Sequence, residues 1–376
     1  MLSNSCLKKA DNMTGTRPPS RTGIANLPLH HGKAPRWLFE RMVKLSREIT
    51  LTIVMEFGPE EMLRRMADPF WFQAFGCVLG FDWHSSGVTT TLCGALKESL
   101  RGMEQETGLY IAGGKGRTSR QTPAEIFSFE PFLSADPEGL VYASRMAAKV
   151  DNTALQDGYQ LYHHVFMFTR DGSWAVVQQG MNEATRYARR YHWLGEQVAD
   201  FVCEPHSGIC SDSIGKALNM VAKEGETARQ TVTEIVVEEK PEKLLADLKK
   251  LKTLTLPTRH HLTLEDIHPD RLSKILIHTH ERSPQNFEQL LGLEGVGPKT
   301  IRALSLVSEL VYGVAPSFRD PARFSFAHGG KDGHPYPVDR KTYDRSIELL
   351  GQAIRRAKIG EPEKLNALRR LSRFEL

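Results

Sequence analysis

The first part of the chain alternates between helical and extended patterns of apolar residues. Apolar residues recur at helical spacing over residues 37–57, which follow Pro35, and again over residues 59–66, so the pattern predicts two amphipathic helices. Residues 70–81 are densely aromatic and apolar, as is typical of a core, and residues 75–79 have the pattern of a short buried strand. A further helix is predicted from about Thr89.

Later segments predict a β-hairpin followed by helices. Apolar runs at residues 165–169 and 173–177 flank Arg170-Asp171-Gly172, which is a hairpin signal. After Pro205 the composition shifts toward Lys, Glu and Ala, and residues 264–310 predict one helix after another. The predicted fold class is therefore α+β, with a mixed α/β N-terminal domain followed by an all-α C-terminal domain.

The same patterns divide the chain into four segments. Residues 1–20 have almost no apolar periodicity and are predicted to be disordered. Residues 21–205 are predicted to form an α+β domain, residues 206–240 a helical connector, and residues 241–376 a helical domain. A chain of 376 residues is long enough for two or three such domains.

Charge and cysteine content narrow the class of protein. The net charge is +4, and residues 241–376 contribute about +6 of it against about −2 from the rest, so the basic excess lies in the C-terminal part. Five scattered cysteines do not form a disulfide framework, and the sequence shows neither a signal peptide nor a membrane-spanning apolar run. We expect a cytoplasmic protein without a membrane partner, and a homo-oligomer is possible. Cys203 and Cys210 bracket His206, but this spacing fits no common zinc finger.

The run LEGVGPKT (residues 293–300) is the most informative motif. Gly295 and Gly297 can adopt positive φ, so the run predicts a tight hairpin whose backbone N–H groups point outward at the start of a helix. It resembles the helix-hairpin-helix element of DNA repair and recombination proteins, which implies sequence-independent contact with DNA backbone. An ordinary turn between helices explains one glycine but not the full pattern. The expected DNA contacts are Gly295, Val296, Gly297, Lys299 and Thr300.

A glycine-rich run, IAGGKGR (residues 111–117), is a second candidate for phosphate binding. It carries two positive charges, and Lys115 is the expected DNA contact. The run lacks the spacing of a nucleotide-binding P-loop, so ATP hydrolysis is not supported, and a simple glycine turn is the alternative.

Two clusters of polar residues are candidates for catalysis. Asp82 and His84 follow the predicted strand and would point to the same side of an extended backbone, where they could share a divalent cation. The alternative is that Asp82 merely caps the next helix. A separate pair, His30 and His31, forms a third polar cluster.

The second cluster is KVDNTALQDGYQLYHH (residues 149–164). If a helix begins at Ala154, Asp157 and Gln160 are neighbours, and Gln160 also reaches His163 or His164. Carboxylates with imidazoles suit Mg²⁺ or Mn²⁺ in phosphodiester hydrolysis, and an imidazole is alternatively a general base. The candidate catalytic residues are Asp82, His84, Asp151, Asp157 and His164, and the candidate metal ligands are Asp82, Asp151 and Asp157.

Three runs extend the resemblance beyond the hairpin: LPLHHGKAPRWL (residues 27–38), WFQAFGCVLGFDWHSSG (residues 71–87) and VDN (residues 150–152). The chain resembles the prokaryotic domain of unknown function 763 family over nearly all of residues 21–376. This resemblance implies metal-dependent nuclease action on unpaired DNA such as bubbles. It assigns no catalytic residues.

Two other functions are open. Endonuclease III-like DNA glycosylases have a similar hairpin with a lysine at the position of Lys299 and a later aspartate in a Pro-Val-Asp context, which Asp339 matches here. The segment between Lys299 and Asp339 is about twice as long as in that family, and the four-cysteine cluster is missing. A DNA-binding scaffold without enzymatic activity is the other alternative. The sequence favours a metal-dependent DNA endonuclease in repair or recombination, with Mg²⁺ or Mn²⁺ as cofactor.

Overall fold

The computed structural model describes residues 34–81, 86–211, 214–254, 267–322 and 340–372. Within these ranges the fold is α+β with a helical C-terminal part, which confirms the predicted fold class. The predictions for residues 1–20, His30, His31, Asp82, His84 and Asp339 lie outside the described residues.

Helices make up most of the described structure. In chain order they are α1 (Arg36–Phe57), α2 (Pro59–Ala67), α3 (Pro69–Val78), α4 (Gly87–Ser99), α5 (Glu104–Thr107), α6 (Thr122–Ser128), α7 (Pro137–Lys149), α8 (Glu226–Glu238), α9 (Pro241–Thr253), α10 (Pro269–Arg282), α11 (Phe287–Gly292), α12 (Pro298–Leu310), α13 (Arg340–Arg356) and α14 (Glu361–Ser372). A π-helical turn, Val150–Ala154, continues α7. Among these described helices, none is long and apolar enough to cross a membrane.

The strands form two antiparallel sheets. They are β1 (Leu109–Lys115), β2 (Leu155–Gln156), β3 (Gln160–Thr169), β4 (Trp174–Asn182), β5 (Tyr187–Leu194), β6 (Gly208–Cys210), β7 (Lys216–Asn219) and β8 (Ser317–Arg319). The larger sheet has the order β1-β3-β4-β5-β6, and the smaller one has the order β2-β7-β8. The predicted β-hairpin is confirmed as β3 and β4, and Gly172 takes the positive φ of 93° in their turn.

Helices cover both faces of the larger sheet, because alternate residues of each strand point to opposite sides. One face, which includes Val165 and Val177, packs against α1–α4 and against α13 and α14. The other face, which includes Phe166 and Val176, packs against α7, α8 and α10–α12. The C-terminal helices are thus divided between the two faces, and α13 and α14 return to the N-terminal helices.

Two local predictions are wrong. Residues 75–78 belong to α3 and Leu79 is its C-cap. Asp68 caps the start of this helix by accepting hydrogen bonds from Phe70 N (2.8 Å) and Trp71 N (3.1 Å). A short apolar run does not distinguish a buried strand from a buried helix, and the cap with Pro69 at the first helical position favours the helix. The helix expected from Ala154 is also missing: the chain enters β2 and then β3, with Gly158 at φ 87° between them.

Candidate active site

Asp151 lies at the centre of a buried polar network. The π-helical turn after α7 places its carboxylate, which is fully buried, beneath the larger sheet. Oδ2 accepts hydrogen bonds from Gln178 Nε2 (2.6 Å) and Trp193 Nε1 (2.9 Å), and Oδ1 lies 2.5 Å from His206 Nε2. Gln178 and Trp193 come from the neighbouring strands β4 and β5, so the sheet fixes both donors.

This arrangement determines the tautomer of His206. The N–H groups of Gln178 and Trp193 converge on Oδ2 of the Asp151 carboxylate, which leaves Oδ1 to His206. A carboxylate is only an acceptor, so His206 Nε2 carries a hydrogen and donates it. With a hydrogen on Nε2, Nδ1 is the ring nitrogen that can act as an acceptor, and it has no hydrogen-bond partner among the described residues. His206 can therefore accept a proton at Nδ1.

Gln178 extends the network to His164. Its Nε2 also donates to Ala147 O (3.2 Å), so its Oε1 accepts from His164 Nδ1 (2.8 Å). His164 Nε2 must then accept from the Ser144 hydroxyl (2.8 Å). Burial lowers the pKa of His164, so the ring is neutral. The structure thus brings together the predicted site residues Asp151 and His164, with Gln178 between them.

A pocket of about 90 Å³ lies beside His206. Its lining residues are Glu204, His206, Gly208, Ile209, Asn219, Val221, Arg319, Asp320 and Pro321. Glu204 has the left-handed φ of 44°, which costs a residue with a side chain about 1–3 kcal/mol. Its carboxylate accepts a hydrogen bond from Arg319 Nη2 (2.7 Å), which links it to the strand β8. A strained residue next to an acid–base pair is typical of functional sites.

Asp157 belongs to a second buried cluster, centred on Arg189. The Arg189 guanidinium binds Asp157 Oδ2 (2.9 Å) and both carboxylate oxygens of Asp320 (2.9 and 2.8 Å), and Tyr191 OH donates to Asp157 Oδ2 (2.7 Å). Burial raises the pKa of Asp157, and Arg189 opposes that rise. The Tyr191 ring lies 6.1 Å from the His206 ring, so this cluster adjoins the Asp151 network.

The donor sets of these two carboxylates do not suit a divalent cation as they stand. Both oxygens of Asp151 face N–H groups, and Asp157 faces a guanidinium, whereas Mg²⁺ and Mn²⁺ require several oxygen ligands free of competing donors. Within the described residues, no group of three or more His, Cys, Asp or Glu side chains is placed to hold a metal ion. The Mg²⁺ or Mn²⁺ cofactor and its ligands stay predictions.

The predicted hairpin, residues 293–297, joins α11 to α12. Gly295 has φ 82°, as predicted, but Gly297 has φ −134°, so the positive φ expected for Gly297 is wrong. One left-handed residue is enough here because Gly297 serves as the extended N-cap of α12. Lys299 and Gly295 are exposed, whereas the side chains of Val296 and Thr300 are buried. The DNA contact predicted for Thr300 therefore reduces to its backbone N–H.

The hairpin is attached to the segment that carries Asp151. Lys149 Nζ donates to Val296 O (2.6 Å) and Leu293 O (3.3 Å), and Gln156 Nε2 donates to Pro298 O (2.9 Å). Burial lowers the pKa of Lys149. The Asp151 network and the hairpin are thus connected through residues 149–156.

Lys115 ends β1, and its exposed ammonium group lies 5.8 Å from the centre of the Tyr162 ring. The glycines before Lys115 belong to β1, and Glu125 lies against them, because its Oε2 accepts from Gly113 N (2.6 Å) and Lys97 Nζ (2.7 Å). A carboxylate at this position leaves no anion site at Gly113. The phosphate contact expected of Lys115 stays a prediction.

Several residues of this site escaped the sequence reading. The sequence patterns indicate His206 only as a zinc ligand, and they do not point to Gln178, Trp193, Arg189 or Asp320. One signal was present: β5 reads YARRYHWL, and a strand in the middle of a sheet with two arginines and a histidine must bury polar groups. Such groups require partners, so β5 marks a buried polar network.

The described residues define an α+β protein with a buried carboxylate–imidazole pair beside a pocket and with an exposed hairpin connected to that pair. The family model described as Protein of unknown function (DUF763) matches residues 23–338, so the chain belongs to this family. No curated protein and no solved structure matches the chain.

Proposed function

We propose that this protein is a DNA nuclease that binds the phosphate backbone through the hairpin and uses His206, held by Asp151, as a proton acceptor. The observation that carries the proposal is that residues 149–156 connect the two parts: Lys149 and Gln156 hold the hairpin, and Asp151 between them holds His206. A DNA backbone bound at the hairpin would therefore lie at a fixed position relative to His206.

The chemistry attributed to His206 is general-base catalysis. Nδ1 would take the proton of a water molecule whose oxygen attacks the phosphorus of a phosphodiester, and the Asp151 carboxylate would stabilise the imidazolium that results. As the new P–O bond forms, the bond from phosphorus to one sugar oxygen breaks, and that oxygen takes a proton from solvent. Trp193 and Gln178 keep the carboxylate oriented during this step, because each contributes a hydrogen bond that does not involve the ring. The proposed nuclease would prefer unpaired DNA and would require Mg²⁺ or Mn²⁺.

The hairpin supports the DNA part of the proposal. The Gly297 and Lys299 N–H groups have no acceptor among the described residues, and no side chain caps α12. Unpaired N–H groups at a helix start, next to an exposed lysine, favour binding of a phosphate group. Glycosylase or lyase action by Lys299 is less favoured, because its exposed amine lacks the desolvation that activates such a nucleophile.

The test uses labelled single-stranded, duplex and bubble DNA of one sequence, each with Mg²⁺, with Mn²⁺ and with EDTA. We expect wild-type protein to cut unpaired DNA with the metals, His206→Gln to bind but cut at least about 100-fold more slowly, and Lys299→Met to bind more weakly. Lys44→Met is the matched control, because Lys44 is an exposed lysine of α1 on the other face of the sheet.

Each alternative gives a different result. Cutting by His206→Gln at the wild-type rate would refute the role of His206. Strand cleavage that survives EDTA and traps a borohydride-reduced DNA adduct would establish the lyase alternative. Binding without cutting under every condition would leave only a DNA-binding scaffold.

A further inference from the structure

Two side chains from residues 149–156 bind the inner side of the hairpin. Lys149 holds the carbonyl oxygens of Leu293 and Val296, and Gln156 holds that of Pro298. Gln156 is itself fixed, because its Oε1 accepts from Arg302 Nε (3.0 Å) and its Nε2 also donates to Thr153 O (3.0 Å). Lys149 and Gln156 therefore hold the hairpin by its carbonyl groups.

Peptide geometry connects these carbonyl groups to the outer side of the hairpin. The C=O and N–H of one trans peptide unit point in opposite directions, and the described residues contain no cis peptide bond. Val296 O shares its peptide unit with Gly297 N–H, and Pro298 O shares its unit with Lys299 N–H. When Lys149 and Gln156 hold these oxygens inward, the two N–H groups face outward.

We propose that Lys149 and Gln156 are positioning residues for phosphate binding at the hairpin, acting through the peptide units of Gly297 and Lys299. The inference rests on the proposed function and deepens its DNA contact. A hydrogen bond to a carbonyl oxygen also polarises the N–H of the same unit, and the effect is larger when the donor is an ammonium group. Lys149 and Gln156 therefore strengthen the Gly297 and Lys299 N–H groups as hydrogen-bond donors without touching DNA themselves.

This indirect role differs measurably from a direct contact. An exposed lysine that neutralises a phosphate releases counterions, so its removal makes the salt dependence of binding shallower by about 0.9 in the log–log slope for duplex DNA. Lys149 is half-buried and engaged with two carbonyl groups, so its removal lowers affinity at every salt concentration while the slope stays the same.

The experiment measures duplex DNA affinity between 50 and 200 mM salt, values in the range over which such contacts are resolved. The variants are Lys149→Met, Lys149→Arg, Gln156→Leu and Lys299→Met, with Lys44→Met as control. We expect Lys149→Met and Gln156→Leu to weaken binding about tenfold, the worth of one good hydrogen bond, with an unchanged slope. Lys149→Arg keeps a cationic donor and should recover most of the affinity, and Lys299→Met alone should change the slope.

Other results overturn the inference in distinct ways. Wild-type affinity in Lys149→Met and Gln156→Leu would show that the hairpin needs no support. A slope in Lys149→Met as shallow as in Lys299→Met would show direct contact with phosphate. If Lys299→Met also binds like wild type, the hairpin does not bind DNA, and the proposed function fails together with the inference. Urea unfolding of each variant shows whether a loss of affinity comes from a loss of folding. Gln156→Leu provides a second check, because it keeps the Lys149 ammonium group.

Discussion

Replacing Asp151 with asparagine or alanine separates the tautomer argument from simple loss of structure. Asparagine keeps one oxygen, which can still accept from Gln178 and Trp193, and its NH₂ group faces His206 Nε2. His206 must then accept at Nε2 and carry its hydrogen on Nδ1. The number of hydrogen bonds is preserved, so we expect Asp151→Asn to lose only about 1 kcal/mol of unfolding free energy.

The same substitution should abolish the chemistry. With a hydrogen on Nδ1 the ring has no free nitrogen to accept a proton, and a wrong tautomer in a comparable aspartate–histidine pair costs on the order of 10⁴ in rate. Alanine acts differently, because it leaves the N–H groups of Gln178, Trp193 and His206 without their shared acceptor. At about 1–3 kcal/mol for each unsatisfied buried group, we expect Asp151→Ala to lose about 4 kcal/mol.

Urea unfolding and cleavage rates measured on the same preparations test this reasoning. The expected pattern is a stable but inactive Asp151→Asn and a destabilised, inactive Asp151→Ala. The reasoning is refuted if Asp151→Asn cuts DNA within about tenfold of wild type, because His206 would then not depend on the carboxylate. It is also refuted if Asp151→Ala unfolds within about 1 kcal/mol of wild type, because the network would then not be satisfied as described.

Three further predictions concern other parts of the fold. Asp320→Ala removes one of the two carboxylates that bind the buried Arg189, so unfolding by urea should show a loss of about 3–5 kcal/mol, and a loss below about 1 kcal/mol would contradict the ion cluster. Burial raises the pKa of Cys93 from 9.0 to about 12, which lowers the fraction of its thiolate about a thousandfold. In the native protein, iodoacetamide at about pH 8 should therefore modify the partly exposed Cys203 long before Cys93, and peptide mass mapping would show the order. Burial lowers the pKa of His163 to about 3, below the unfolded value of 6.5, so this group contributes stability that is complete above about pH 6.5 and falls as the pH drops toward 3. Between pH 7 and pH 5 wild type should therefore lose about 2 kcal/mol more than His163→Leu, and equal losses in urea titrations would show that His163 is not buried as a neutral ring.

The sequence predicted correctly those elements that depend on residues close together along the chain. Helices α1 and α2 and the β3–β4 hairpin were predicted because their signals, period and turn chemistry, are local. The helix α3 was mistaken for a strand because five apolar residues carry no period that distinguishes the two.

The candidate active site could be predicted only in part, because its contacts join residues that are far apart in the sequence. Asp151 is predictable as a site residue because it is a polar residue in an apolar setting, but its partners lie 27, 42 and 55 residues further along the chain. The register of β4 and β5 brings Gln178 and Trp193 to one point, the pairing of β6 with β5 adds His206, and register depends on packing of the whole sheet. Adjacent strand positions also separate His163 from His164, so only His164 reaches the network.

The position of Asp320 late in the chain determines when the pocket can be completed during synthesis. Arg189 receives this carboxylate from a residue 131 positions later, just after the strand that completes the smaller sheet. During synthesis, a nascent chain that has exposed the whole larger sheet still lacks that counter-charge and one wall of the pocket. Because residues 319–321 contribute to the lining, the pocket is complete only after this late part of the chain has been synthesised. A translation product interrupted before Asp320 therefore lacks part of the pocket lining and the second carboxylate of Arg189.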